Sequence, residues 1–197
     1  EKELQKGFLR RYPAFTFMLL ASLLMLTAHN ILNTYLLQII QSVGGNRSQL
    51  GVALAIQAIV EVPVLFGFSR LLKHFQPKTL MFIAAIGFAL KALMYSLSGS
   101  VSMIYMIQFA QMLSFAIFAS ASVYYTSEVI AKEDQATGQA FMSSMIAVGT
   151  VLGSLSGGWM LELSGMSTML TVNVFIAIVG VGFALTSVKA KTPLNNT

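Results

Sequence analysis

Residues 49–72 read QLGVALAIQAIVEVPVLFGFSRLL. A bilayer core about 30 Å thick is crossed by roughly 20 apolar residues in a helix rising 1.5 Å per residue. This stretch is long enough, and Glu61 is its only charge before Arg70 near the end. Outward from it, five more stretches reach the same length, at about 13–42, 79–97, 102–130, 137–163 and 168–188. The gaps are short and hold the helix breakers: GGNRS at 44–48, KHFQPK at 73–78, SGS at 98–100, AKEDQ at 131–135 and LSGMS at 163–167. Membrane strands would alternate apolar and polar residues over about ten positions, and these runs do not. The pattern predicts an all-α membrane protein with six transmembrane helices spanning residues 13–188. Segments 1–12 and 189–197 are then polar flanks, and no gap can hold a soluble domain.

Composition agrees. Of 197 residues, 56% are hydrophobic and only 10% charged, with a mean hydropathy of +0.75. A soluble domain carries about 25% charged residues, so a cytosolic enzyme or a nucleic-acid binder is excluded despite a net charge of +5. Disordered chains lack large apolar residues, so disorder is excluded too. Without cysteine there is no disulfide, thiolate nucleophile or Cys-ligated metal. HExxH, GxxxxGK[ST] and GxGxxG are all missing, so no enzyme, cofactor or metal is expected. The opening EKELQKGFLRRYP is basic and polar, unlike a signal peptide, and the chain does not begin with Met. A longer protein, with more chain before Glu1, is expected.

The positive charges set a direction. Lys2, Lys6, Arg10 and Arg11 precede the first span, Arg70, Lys73 and Lys78 surround the second gap, Lys132 lies in the fourth, and Lys189 and Lys191 follow the sixth. The other side has only Arg47, within the formal glycosylation sequon Asn46-Arg47-Ser48. The positive-inside rule then puts both ends in the cytoplasm, with the basic excess against anionic lipid. A plasma membrane of a bacterial cell is the expected location.

Two ionisable residues remain deep in spans. Glu61 is twelve residues from Lys73, about 18 Å inward, and Lys91 is thirteen from Lys78, about 20 Å inward. Both helices enter from the same gap, so the two reach similar depth. An unpaired charge there costs at least about 2.5–3.5 kcal/mol, so the two are expected to face each other or a shared wet cavity. A static ion pair between helices satisfies that requirement. So does a pair in which the carboxylate takes up a proton or the ammonium meets a solute.

Neutral polar side chains gather near that level: His29, Asn30 and Asn33 in the first span, Gln57 in the second, and Gln108, Gln111 and Ser114 in the fourth. Each alone reads as an interhelical hydrogen bond; together they outline a hydrated cavity that could bind a solute. His29 reads as a structural hydrogen bond or a proton carrier. Gly149, Gly153 and Gly157 recur every fourth residue, which lets backbones approach closely or slide during a conformational change. Pro63, two residues after Glu61, removes a backbone donor and can kink its helix.

Six spans with cytoplasmic ends, a basic entry strip and a buried acid–amine pair resemble the C-terminal six-helix half of a major facilitator superfamily transporter. The branch it resembles holds lactose/oligosaccharide–proton symporters, nucleoside permeases and phenylpropionate permease-like proteins. Glu61-Val62-Pro63, the Lys78-to-Lys91 spacing, Thr137-Gly138-Gln139-Ala140 and Gly157-Gly158-Trp159 before Ser164-Gly165 carry the resemblance. It implies one half of a twelve-helix fold, with an N-terminal half as partner. It also implies that Lys91 stands where lactose permease has a functional arginine, and Glu61, or nearby Gln57, in its sugar-contacting carboxylate region. Gln111 and Ser114 fall where that permease has a histidine and a glutamate, and Asn30 and Asn33 where it has aspartates. The chain departs there from the titrating groups of the branch, which leaves Glu61 as the proton carrier here or places the carrier in the N-terminal half. The loop Lys73-His74-Phe75-Gln76-Pro77-Lys78 departs from the branch's gating motif.

The function expected is secondary active transport, as proton-coupled symport of a small polar or amphipathic solute such as a sugar, nucleoside or aromatic acid, by alternating access. Protons, the solute and the bilayer are its partners, and nucleic acid is not. Two alternatives are an exporter of drugs or sugars, whose 14 Phe and 12 Met residues line an adaptable pocket, and a membrane scaffold without transport.

Overall fold

The computed structural model describes residues 2–190, with side chains from Gly7 onward. Lys191 and most of the 189–197 tail lie outside the described residues. Helices α1 (Lys2–Arg11), α2 (Pro13–Thr34), α3 (Leu36–Ser42), α4 (Arg47–His74), α5 (Pro77–Ser96), α6 (Val101–Gln108), α7 (Phe115–Val129) and α8 (Gln135–Lys189) follow in order. Among the described residues there is no strand. Local chemistry explains several of the ends. Pro13 and Pro77 begin α2 and α5, where a missing N–H costs nothing. Asn46 and Gln49 form a reciprocal capping box on α4, and Ser100 caps α6 through the Met103 N–H at 3.3 Å.

Five helical stretches are long and apolar enough to cross a membrane: Pro13–Thr34, Arg47–His74, Pro77–Ser96, Val101–Val129 and Lys132–Lys189. The last, of 58 residues, would be about 87 Å long if straight, far more than one crossing. It is not straight. Gly165 adopts φ 79° and ψ 177°, a left-handed conformation that only glycine takes readily. The contacts on α2 show what the break does. Along residues 135–164, Gly149, Gly153 and Gly157 meet Leu26, Asn30 and Tyr35 in turn, so this limb runs parallel to α2. Along residues 166–189, Gly180 meets Leu24 while Ser187 bonds the Ala14 carbonyl, so this limb runs antiparallel. The chain therefore reverses at Gly165, inside the expected 163–167 gap.

Two other expected spans are interrupted. The 13–42 stretch pauses at Tyr35 (φ −102°, ψ 17°), whose ring lies over Gly157 and whose hydroxyl donates to the Ser154 carbonyl at 2.6 Å. The 102–130 stretch breaks at a 3-10 turn, Phe109–Met112, and resumes after Ser114 (φ −99°, ψ −97°). By contrast α4 continues through Pro63 without interruption. The expected 1–12 linker is itself helical in α1, anchored by Phe8, which stacks on Phe141 at 5.3 Å.

The apolar core falls into two clusters. One holds α2 residues as far as Leu26, α5 residues 80–88 and α7 residues from Ile117 on. The other begins at Ala28 in α2, Ala92 in α5 and Ile104–Ile107 in α6. Between them lie Thr27, Lys91, Gln108, Gln111 and Ser114, all buried and all polar. A polar layer therefore crosses the bundle at mid-height.

Candidate functional site

A glycine sets the geometry of this layer. A Cβ on Gly87 would collide with the Leu113 carbonyl, so α5 touches the backbone of the broken span directly. Lys91 is one turn further along the same face of α5, and Gln111 is two residues before Leu113. The close crossing brings the two side chains together: Lys91 Nζ donates to Gln111 Oε1 at 2.5 Å, and Gln111 Nε2 donates to Glu61 Oε1 of α4 at 2.7 Å. An ammonium only donates and a carboxylate only accepts, so the amide has a single orientation that satisfies both.

Of the two expected arrangements, direct contact between Glu61 and Lys91 is replaced by a bridge through Gln111. Among the described residues, Arg11–Asp134 is the only pair of opposite charges within 4.0 Å. Gln111, within the 3-10 turn Phe109–Met112, stands between Glu61 and Lys91. The two ends differ in exposure: Lys91 is 1% exposed and Gln111 fully buried, whereas Glu61 is only partly buried. Charge-assisted hydrogen bonds at both ends make the relay stronger than neutral amide contacts.

His29 lies beside it. Its ring stacks on Phe115 at 4.9 Å and meets the edge of Phe88 at 5.5 Å. Asn33 Nδ2 lies 2.9 Å from His29 Nε2, while His29 Nδ1 has no partner. The remaining candidates are placed differently. Asn30 donates to the Leu26 carbonyl of its own helix at 2.8 Å, and Ser114 to the Ala110 carbonyl at 2.9 Å. Gln108 donates to the Tyr95 hydroxyl at 2.7 Å, leaving its own Oε1 unpartnered. Gln57 lies one turn before Glu61 with an unpartnered Oε1. Glu61, Lys91, Gln111, His29 and Asn33 thus form the core of the candidate site, and Asn30 and Ser114 satisfy local backbone instead.

Gly149, Gly153 and Gly157 all face α2. A Cβ on Gly153 would sit 2.8 Å from both Asn30 Cβ and the Thr27 carbonyl. Two features of the structure had no recognised sequence signal. Phe88 and Phe115 sandwich His29 but read as ordinary core. Asn173 is fully buried in the second limb of α8 with neither side-chain atom bonded. At the foot of the bundle, Asp134 accepts from Arg11 at 3.1 Å and from Tyr12 Oη at 2.8 Å. Burial pushes the Tyr12 hydroxyl pKa up, and its bond to the Asp134 carboxylate adds to the rise.

Two grooves of about 340 and 280 Å³ lie elsewhere, on apolar surface beside Met94 and Met106 and between α5 and the second limb of α8. Neither reaches Glu61. No cluster of three or more His, Cys, Asp or Glu suited to a metal occurs among the described residues. The profile of the MFS_1 like family matches residues 3–172. No curated protein matches the chain.

Proposed function

The chain belongs to the MFS_1 like family, and so to the major facilitator superfamily, and from that premise we propose that it forms the C-terminal six-helix half of a proton-coupled symporter. An N-terminal half of the same protein closes the open side of α4, and the two bundles rock about a solute held at mid-membrane. Both ends of this half lie in the cytoplasm, and the membrane is the plasma membrane of a bacterium. The solute is small, polar or amphipathic, and organic.

The observation that carries this reading is the placement of Glu61. It is a partly open carboxylate on the helix least covered by its own chain, with 11% of the apolar window of α4 buried against 67% for α2. It also ends a relay that runs to a sealed ammonium. Ionisable groups in such positions characteristically line ion and substrate paths. In the mechanism, Glu61 exchanges a proton with water in the cavity, alternating between a carboxylate that accepts from Gln111 and a neutral carboxyl. Gln57 and Asn33 supply neutral hydrogen bonds to the solute. The glycine face of α8 on α2 keeps this half rigid as it rocks.

Replacing Glu61→Gln in the full-length protein tests this reading. Uptake driven by a proton gradient should disappear, while exchange of solute across the membrane persists. Undiminished pH-driven accumulation by the variant would remove Glu61 from the coupling step.

A further inference from the structure

We propose that Gln111 is a charge screen: its amide seals the Lys91 ammonium from the solute path and leaves the Glu61 carboxylate as the charged face of the site, so the site takes neutral hydroxylated or cationic solutes and rejects carboxylates. This inference rests on the transport reading above and narrows its solute class.

The geometry carries it in three steps. First, Lys91 is 1% exposed and Gln111 fully buried, so no solute reaches the ammonium without moving the amide. Second, the amide cannot turn over. Its oxygen faces a group that only donates and its nitrogen a group that only accepts, and a flip would set donor against donor and acceptor against acceptor. Third, the far end of the relay is open: Glu61 is partly buried, and only its Oε1 is engaged by Gln111. What the site presents is therefore a carboxylate oxygen, which recognises hydroxyl and ammonium donors and repels another carboxylate, or a neutral carboxyl once it has taken up its proton, and in neither state does it offer a carboxylate solute a cation. The backbone holds the screen in place, because the Gly87–Leu113 contact fixes Gln111 over Lys91. His29, packed against Phe88 and Phe115, is buried and presents no open anion-binding face.

Amine labelling of the full-length protein in membranes reads the screen directly. The probe is 2,4,6-trinitrobenzenesulfonate, a water-borne anion, with modification of the Lys91 peptide followed by mass spectrometry. In the wild type, Lys91 should react at least tenfold more slowly than in Gln111→Ala. Gln111→Ser, which also vacates the space over Lys91, should expose it in the same way and serves if the alanine variant does not fold. Wild-type Lys91 reacting as fast as Lys73 in the exposed last turn of α4, or variant Lys91 remaining as slow as in the wild type, would overturn the screen. An uptake screen with the wild type then tests the class. Sugars, nucleosides or aromatic amines should enter, and uptake of an aromatic acid would overturn the assignment. If no solute enters but the labelling ratio holds, the transport reading fails and the screen stands.

Discussion

Helices α2 and α4 are equally suited by composition to cross a membrane, yet the chain treats them in opposite ways. The apolar window of α2 is 67% buried within the bundle and that of α4 only 11%. On α2, the first limb of α8 approaches through three glycines and the second limb through Gly180. Lipid gives helices no hydrophobic drive to associate, so close backbone packing has to supply the attraction. On α4, large side chains such as Ile59 and Phe66 remain uncovered at 69% and 87% exposure. The polar groups follow the same division. Asn30 on α2 is spent on the Leu26 carbonyl of its own helix, whereas Glu61 on α4 reaches a different helix through Gln111 and stays partly open. One helix is a strut, and the other, under the proposed function, is the working face.

The largest effect should come from filling the strut. Gly153→Leu places side-chain atoms where even a Cβ lies 2.8 Å from the Thr27 carbonyl. The loss should reach about 3 kcal/mol, the upper range for overpacking, seen as lost recovery of folded protein from detergent. A variant as stable as the wild type would mean that α2 is not held by close contact.

Next comes the relay. Gln111→Leu removes the acceptor of Lys91 and should cost about 2 kcal/mol, typical of a buried charged group left unpaired. Adding Lys91→Met should restore stability to within about 1 kcal/mol, because apolar replacement of buried polar partners together is often neutral and Glu61, the remaining member, is only partly buried. Chemical unfolding of the single and double variants compares the two, and a double variant less stable than the single one would show that the layer is not organised around Lys91.

On the open face the effect on the chain itself should be small. Phe66→Ala should change the stability of this chain by under about 0.5 kcal/mol, as exposed substitutions do, while lowering the yield of assembled full-length protein. Equal yields would place Phe66 against lipid. The smallest effect lies at the foot of α2. The Tyr12 pKa is raised in the folded chain, so its contribution is complete below the usual tyrosine value of about 10 and is lost as pH rises through the higher folded value. Tyr12→Phe should abolish that alkaline loss of stability, worth about 1 kcal/mol at most.

Much of this was legible in the sequence, because span length, breaker position and buried charge are local properties. The run at 49–72 needed only its length and hydropathy, and the reversal at Gly165 fell within an expected gap. The break at 109–114 was not legible. Residues 101–130 contain neither glycine nor proline, so nothing local signals it. It arises where Gly87, on another helix, meets the Leu113 backbone. The same tertiary contact explains why Glu61 and Lys91, which read as facing each other or a shared cavity, are bridged instead. Depth along each helix brought them to one level, but only the packing of a third segment places the Gln111 amide between them. Asn30 and Ser114 were ambiguous for the converse reason, since a polar side chain at mid-span can face a cavity or return to the preceding carbonyl with the same sequence.

The most direct test of Glu61 as the working group is infrared difference spectroscopy of the full-length protein, with its carboxyl band assigned by its loss in Glu61→Gln. Titration should convert a carboxylate band into a carboxyl band, and adding a transported solute should shift that band. A Glu61 band that stays ionised across the titration and is unmoved by the solute would contradict the account.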